Sequence, residues 1–243
     1  MRVYMKDPNI DLFLFKEALG KITREDITFK IGEQDNVECV LGDIINQIQF
    51  ELSPNDQSFN DIYGLKINAL KICQACSTIV QDEQAPSTII FLNVPDKDNW
   101  DLQTLWDDYQ NNEGYNDEYP CKRCAQIQKC KEKIVVMKCP PPYIMLSPFR
   151  TKFVHQKLEL IKSYGNIPVI LDVYYKEEIS KLKKQYMLKN VICRDGQFSN
   201  ENGHFINYVY DDIKGWFMIN GNKVSSISSV KDIHEMFGIF GRM

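Results

Sequence analysis

The stretch that decides the fold is Gly203-His204-Phe205-Ile206-Asn207-Tyr208-Val209-Tyr210, followed by Lys214-Gly215-Trp216-Phe217-Met218-Ile219-Asn220-Gly221. Apolar and polar residues alternate in both segments, and the turn between them predicts a β-hairpin. The hairpin sets His204 on one strand and Asn220 on its neighbour, close enough for an amide oxygen to orient an imidazole. A base held by an orienting group is part of a nucleophilic site, although a histidine on a strand is more often structural.

The nucleophile that such a base would serve is missing from the expected place, a helix start upstream. The first thirty residues contain no cysteine and no serine. Cys39 falls on the apolar face of a predicted helix. Cys193 has Arg194 beside it, but alternation along a strand turns these neighbours to opposite faces. Both cysteines fit buried positions better than a catalytic one.

Composition excludes several classes of partner. The chain has 243 residues, 44% of them hydrophobic, and a net charge of −4, which argues against nucleic acid or an anionic membrane as the main partner. No apolar run reaches transmembrane length, and the start carries neither a signal-peptide core nor a transit pattern. We therefore expect an intracellular protein, in the cytoplasm or nucleus by default, with an organelle left open.

Four of the eight cysteines form two pairs, Cys73-x-x-Cys76 and Cys121-x-x-Cys124. Each tight turn aims two thiolates at one ion, and two turns complete a tetrahedron. The spacing predicts a structural zinc site in a reducing compartment, provided that paired strands bring the two turns together. The alternative is that one or both pairs are buried thiols or oxidised.

The order of predicted elements gives the fold class. Helices are predicted over 7–20 and 34–50, and an exposed amphipathic helix with an acidic loop over 95–120. Residues 176–184 are expected to form a charged helix or turn. Strands are predicted over 65–72, 88–94, 133–139, 143–147, 167–172, 186–194, the hairpin and 232–240. Helices first and strands later favour an α+β fold with a mostly antiparallel sheet.

Asp35 and Glu38 lie three residues apart at the start of the second predicted helix, so both carboxylates share one helix face. Such a pair could clamp a basic, extended peptide. The simpler reading is acidic charge favoured by the helix macrodipole.

Several segments together resemble the ubiquitin-specific proteases (peptidase family C19), and the resemblance covers residues 30 to 240. Segment 186–196 is similar to the strand that leads into the family's histidine box, with Arg194 where a histidine is usual. The other matching segments, in the family's order, are Gly32-Glu33-Gln34-Asp35-Asn36-Val37-Glu38, Cys73-Gln74-Ala75-Cys76, Cys121-Lys122-Arg123-Cys124, Pro142-Tyr143-Ile144-Met145-Leu146-Ser147-Pro148-Phe149-Arg150 and 203–224.

The resemblance implies a papain-like hand built as a single truncated domain. Residues 1–50 would be the remnant of a helical thumb, 66–136 the zinc-bearing fingers, and 51–65 with 137–243 the palm. It also implies that Asp35 and Glu38 hold the tail of ubiquitin, that His204 is the general base and that Asn220 orients it. Structural Zn²⁺ would bind Cys73, Cys76, Cys121 and Cys124.

The resemblance also predicts a departure, because the family's N-terminal cysteine box lies upstream of everything matched. We therefore expect a pseudo-deubiquitinase, a catalytically inactive domain that binds ubiquitin, a ubiquitin-like protein or other subunits. The first alternative is the larger part of an active ubiquitin carboxyl-terminal hydrolase whose nucleophile segment is missing from this chain or supplied by another. The second is a zinc-stabilised module that has lost ubiquitin binding.

Overall fold

The computed structural model describes residues 23–24, 27–28, 37–52, 57–83, 85–96, 99–111, 114–136, 139–149, 151–154, 157–161, 164–177, 180–195, 204–228 and 237–242. The helix predicted over 7–20 lies outside these residues. Backbone contacts divide the chain into two units, Met1–Gln57 and Ser58–Met243.

The first unit contains one antiparallel strand pair, β1 (Thr23–Arg24) with β2 (Ile27–Thr28), and the helix α1 (Val37–Glu51). The helix predicted over 34–50 is thus present, with its first turn beginning three residues later. Its apolar spacing buries Ile45, while its polar face carries an i, i+4 hydrogen bond in which Gln47 Nε2 donates to Glu51 Oε1 at 2.9 Å.

The second unit holds two further helices and most of the strands. The helices are α2 (Ser58–Tyr63) and α3 (Leu102–Asn111). The strands are β3 (Ile67–Ile72), β4 (Ile79–Glu83), β5 (Ile89–Asn93), β6 (Asn99–Asp101), β7 (Gly114–Pro120), β8 (Ile127–Val136), β9 (Tyr143–Phe149), β10 (Thr151–Val154), β11 (Lys157–Leu160), β12 (Tyr164–Asn166), β13 (Ile170–Glu177), β14 (Ser180–Asp195), β15 (His204–Asp211), β16 (Gly215–Asn220), β17 (Lys223–Ile227) and β18 (Phe237–Arg242).

Two sheets dominate this unit. The eight-stranded sheet runs β17-β16-β15-β14-β18-β9-β5, with β13 added to β14, and only its β5–β9 pair is parallel. The four-stranded sheet runs β4-β3-β8-β7 and is antiparallel throughout. The predicted α+β class with a mostly antiparallel sheet is therefore confirmed.

Two sequence predictions fail in this unit. Residues 176–177 and 180–184 are strand, and Glu177 pairs with Ser180, so the charged helix or turn predicted over 176–184 is wrong for these seven residues. Residues 114–120, predicted as part of an acidic loop, form β7, which pairs with β8 across a register shift between Asn116 and Glu118. In both places, charged residues interrupt the alternation of apolar and polar residues from which a strand is predicted.

The core contains buried residues of α3 and of both sheets. Tyr186 is fully buried, and its hydroxyl satisfies its hydrogen-bonding need by donating to the carbonyl of Pro141 at 2.7 Å. The largest fully buried side chains are Trp106, Tyr186, Leu65, Leu92, Leu102, Ile144, Leu146, Leu171, Leu188 and Val136.

The backbone of Gly165 packs closely against the indole ring of Trp100. It pairs with Trp100 across the parallel β12–β6 contact, and a Cβ at position 165 would lie 2.0 Å from Cζ2 of that indole. Only glycine leaves room for the ring here.

Candidate functional site: a four-cysteine cluster and a histidine–asparagine pair

The two Cys-x-x-Cys turns, here called the first knuckle (Cys73–Cys76) and the second knuckle (Cys121–Cys124), meet at one end of the four-stranded sheet. Cys73 Sγ lies 3.8 Å from Cys124 Sγ, and Cys76 Sγ lies 3.6 Å from Cys121 Sγ. All four sulfurs lie within 4.8 Å of one another. Zinc bonds of about 2.3 Å to four tetrahedral sulfurs would place those sulfurs about 3.8 Å apart. The donor set and its spacing fit a zinc ion.

The first knuckle is closed by its own backbone. Cys73 N–H donates to the carbonyl of Thr78 at 2.9 Å, and Ser77 N–H donates to the carbonyl of Cys73 at 2.8 Å. Ser77 has a φ of 54°, in the left-handed region that disfavours residues with a Cβ. The turn thus carries local strain.

The second knuckle repeats this arrangement. Cys121 N–H donates to the carbonyl of Gln126 at 3.1 Å, Ala125 N–H donates to the carbonyl of Cys121 at 2.8 Å, and Ala125 has a φ of 56°. The two knuckles are therefore equivalent halves of one site. The sequence pattern located the cysteines but gave no sign of this strain, because neither position is a glycine.

The thiols of the cluster differ in acidity. Hydrogen bonds from the Thr78 hydroxyl and backbone lower the pKa of Cys76 to about 6, and backbone N–H groups of Cys124 and Arg123 lower that of Cys121. At Cys124 the Gln126 N–H lowers the pKa, but burial and the neighbouring thiols raise it to about 11 overall. Without a cation, four adjacent sulfurs cannot all carry charge, whereas a bound divalent ion would stabilise four thiolates.

The histidine hairpin forms as the sequence predicts, from β15 and β16. His204 begins β15 and Asn220 ends β16, and His204 Nε2 lies 2.5 Å from Asn220 Oδ1. Because the amide oxygen can only accept, Nε2 carries the proton in this arrangement. Nδ1 of the exposed His204 then holds the lone pair that a general base needs.

The turn after Asn220 fixes the orienting residue. Asn220 pairs with Lys223 around a two-residue loop, and Gly221 at the first loop position has a φ of 59°. A type II′ hairpin turn needs glycine at this position. Asn220 is therefore anchored by strand pairing on one side and a tight turn on the other.

The opposite end of the hairpin is also fixed. Asp211 Oδ1 accepts the backbone N–H groups of Lys214 at 2.8 Å and Ile213 at 2.9 Å, and both bonds lower the pKa of that carboxyl. Gly215 follows with a φ of 82°. Glycine adopts this left-handed conformation without the steric cost that other residues carry, so a fixed turn lies at each end of the strand that carries Asn220.

Among the remaining residues that the sequence singled out, only Cys193 has a side chain that the structure describes. Asp35 lies outside the described residues, and Glu38 and Cys39 lie on α1 with side chains outside them. Cys193 is 7% exposed and belongs to the core. Cys139, which the sequence reasoning did not single out, is exposed, with Lys184 Nζ 3.6 Å from its sulfur.

The fold, the cysteine cluster and the histidine–asparagine hairpin define a class of protein. Residues 6–237 match the sequence profile of the ubiquitin carboxyl-terminal hydrolases, and the chain belongs to this family. No curated protein matches it.

Solved structures agree on the fold. Ubp8 of a SAGA DUB module with Sgf11, Sus1 and Sgf73 superposes with a TM-score of 0.71 at 19% identity, over 88% of this chain and 51% of that chain. The module bound to monoubiquitin gives 0.69 at 18% identity, over 85% and 47%, and a yeast SAGA DUB module gives 0.65 at 18%, over 85% and 49%. The chain thus spans about half the length of these structures. Among the described helices, none has the length and apolar character needed to cross a membrane.

Proposed function

We propose that this chain is a ubiquitin-binding domain of the ubiquitin-specific-protease type that does not hydrolyse ubiquitin conjugates by itself. The observation that carries the proposal is that the base and its orienter, His204 and Asn220, keep their contact while the cysteines with described side chains have other surroundings. Six cysteines have side chains that the structure describes. Four form the cluster, Cys193 is in the core, and Cys139 lies beside Lys184.

The chemistry of the pair explains why a base alone is insufficient. Acyl transfer from the ubiquitin C-terminus needs a thiolate to attack and N–H donors to stabilise the oxyanion. His204 can accept a proton, but it serves only if a nucleophile lies within hydrogen-bond reach.

Zinc in this proposal is structural. A tetrahedron of four protein sulfurs has no open coordination position, so the ion would hold the knuckles together and take no part in catalysis. Reduced thiols of this kind favour an intracellular, reducing compartment.

The proposal that this chain binds ubiquitin is supported by its similarity to solved structures that contain ubiquitin. The similar structures are SAGA DUB modules of Ubp8 with Sgf11, Sus1 and Sgf73, one bound to monoubiquitin and another to ubiquitin aldehyde. We propose the following roles for the segments of this chain. Residues 66–136 grip ubiquitin as fingers, Asp35 and Glu38 in the thumb remnant (1–50) hold its basic tail, residues 51–65 and 137–243 form the palm, and other subunits bind elsewhere.

A second function is favoured by the quality of the His204–Asn220 contact. His204 Nε2 lies 2.5 Å from Asn220 Oδ1 on anchored strands, and a base held by an orienting group is also part of a working nucleophilic site. A nucleophile supplied from outside these residues, on the same or another polypeptide, would make the chain the larger part of an active hydrolase.

Two measurements on the purified chain separate these functions. Ubiquitin with an electrophilic C-terminus should leave the chain unlabelled, and covalent capture at any cysteine would overturn the non-hydrolytic proposal. NMR titration with ubiquitin should give saturable shifts. If the chain also stays unlabelled, absence of shifts at millimolar ubiquitin would leave only the zinc-stabilised module that has lost ubiquitin binding.

A further inference from the structure

One edge of the eight-stranded sheet is covered by a helix. Among the described strands, β13 pairs only with β14, so the outward N–H and C=O groups of β13 have no neighbouring strand. Such an edge is a template for pairing with a strand of another chain. The helix α3 lies beside it.

Gln103 of α3 bonds to this edge as a neighbouring strand would. Its Oε1 accepts the backbone N–H of Asp172 at 2.8 Å, and its Nε2 donates to the backbone carbonyl of the same residue at 3.0 Å. Two bonds to the N–H and C=O of one residue are what a residue of an antiparallel partner strand makes. A second proton of Nε2 is directed to Asp107 Oδ1 at 2.9 Å, which fixes the side chain further.

Gln110 continues the pattern one step along β13. Its Nε2 donates to the carbonyl of Tyr174 at 2.7 Å, and the residue is only 7% exposed. Asp172 and Tyr174 are two apart on β13, so their outward groups point to the same side. Gln103 and Gln110 are seven apart on α3, so they share one helix face.

We propose that α3 is a surrogate strand, in which Gln103 and Gln110 occupy the open edge of β13 and prevent it from pairing with a strand of a second chain. Glutamine suits this task because its side chain carries both a donor and an acceptor on a reach long enough to cross from helix to strand. The apolar face of α3 packs in the core through Leu102, Leu105 and Trp106. The polar face of α3 therefore covers the edge of β13 while its apolar face packs in the core. The covering of this edge does not depend on ubiquitin binding.

The test replaces each glutamine by methionine, which has similar size but neither bond. In Gln103→Met, backbone hydrogen exchange at Asp172 should accelerate roughly tenfold, the effect of losing a hydrogen bond of about 1.4 kcal/mol. Gln110→Met should leave that amide unchanged, because it removes only the donor to Tyr174. The double variant should form dimers or larger species at concentrations where wild type does not, as measured by light scattering. Gln47→Met, at a half-exposed glutamine of α1 whose described hydrogen bond stays within its own helix, is the matched control and should change neither readout.

Two results would overturn the proposal. One is an unchanged Asp172 exchange rate in folded Gln103→Met. The other is a folded double variant that associates no more than wild type. If Gln103→Met fails to fold, Gln103→Glu is measured at about pH 3, where the protonated carboxyl keeps an acceptor for the Asp172 N–H and a donor for its neighbours, and this amide should then exchange within about twofold of wild type at the same pH. Rapid exchange in a folded Gln103→Glu protein would equally contradict the surrogate-strand assignment.

Discussion

The strain in the two knuckles predicts that glycine after either knuckle stabilises the protein. Ser77 and Ala125 have φ values of 54° and 56°, a conformation that costs residues with a Cβ about 1–2 kcal/mol. Glycine removes that cost but gains unfolded-state entropy worth about 0.5–1 kcal/mol. The net gain for Ser77→Gly or Ala125→Gly is therefore about 0.5–1 kcal/mol.

The assay for this prediction is chemical unfolding of the zinc-loaded protein together with zinc competition against a chelator. Each substitution should raise the free energy of unfolding by the amount above and strengthen zinc binding about two- to fivefold, since 1.4 kcal/mol is tenfold. Ala75→Gly is the matched control, because Ala75 lies in the first knuckle, is exposed, and is not among the described residues with positive φ. It should lower stability. Equal effects of Ser77→Gly and Ala75→Gly would refute the strain argument.

Three further outcomes are expected. Cys73→Ser or Cys121→Ser should abolish stoichiometric zinc binding measured by atomic absorption, and full zinc content in both variants would reject the ligand assignment. Gly165→Ala should destabilise the protein by about 2–4 kcal/mol in urea unfolding, because its Cβ would lie 2.0 Å from the buried Trp100 ring; a loss below about 0.5 kcal/mol would mean that the ring moves freely. Burial, together with nearby carboxylates, raises the pKa of Asp107 above its unfolded value despite the bond from Gln103. Its stabilising contribution is therefore complete below the unfolded pKa and lost as pH rises through the folded pKa. Asp107→Asn should accordingly stabilise the protein at pH 7 by on the order of 0.5 kcal/mol or less, since the carboxyl is partly screened, and thermal melts should show that gain shrinking toward pH 3.

The sequence correctly predicted the parts of the fold that a single local pattern determines, either the alternation of apolar and polar residues or the spacing of cysteines. Alternation placed His204 and Asn220 on paired strands because β15 and β16 each keep a strand period over their length. The cysteine spacing predicted a single four-sulfur cluster because only metal binding commonly uses two such turns. The roles of these residues in catalysis and zinc binding stay predictions.

Other features depended on contacts that no local pattern encodes. Lysines at 176, 181, 183 and 184 hid two strands, because charged residues on an exposed strand face weaken the apolar alternation. The edge bonds of Gln103 join residues 69 positions apart, and glutamine on a helix ordinarily indicates only a solvated face. The left-handed backbone at Ser77 was invisible for a similar reason, since the sequence carries no glycine there.

The knuckles also have a consequence for chain topology. An ion bound by both would cross-link the backbone around the intervening residues 77–120, a closed loop of 44 positions that contains β5, β7 and α3. A covalent link closing a loop of this length removes unfolded-state entropy worth about 4 kcal/mol. Because α3 lies within the loop, removing the ion would lower the free energy of any unfolding event that separates this helix from β13. Chelation and self-association would then be linked in this protein, although the sulfurs and the β13 edge share no contact described here.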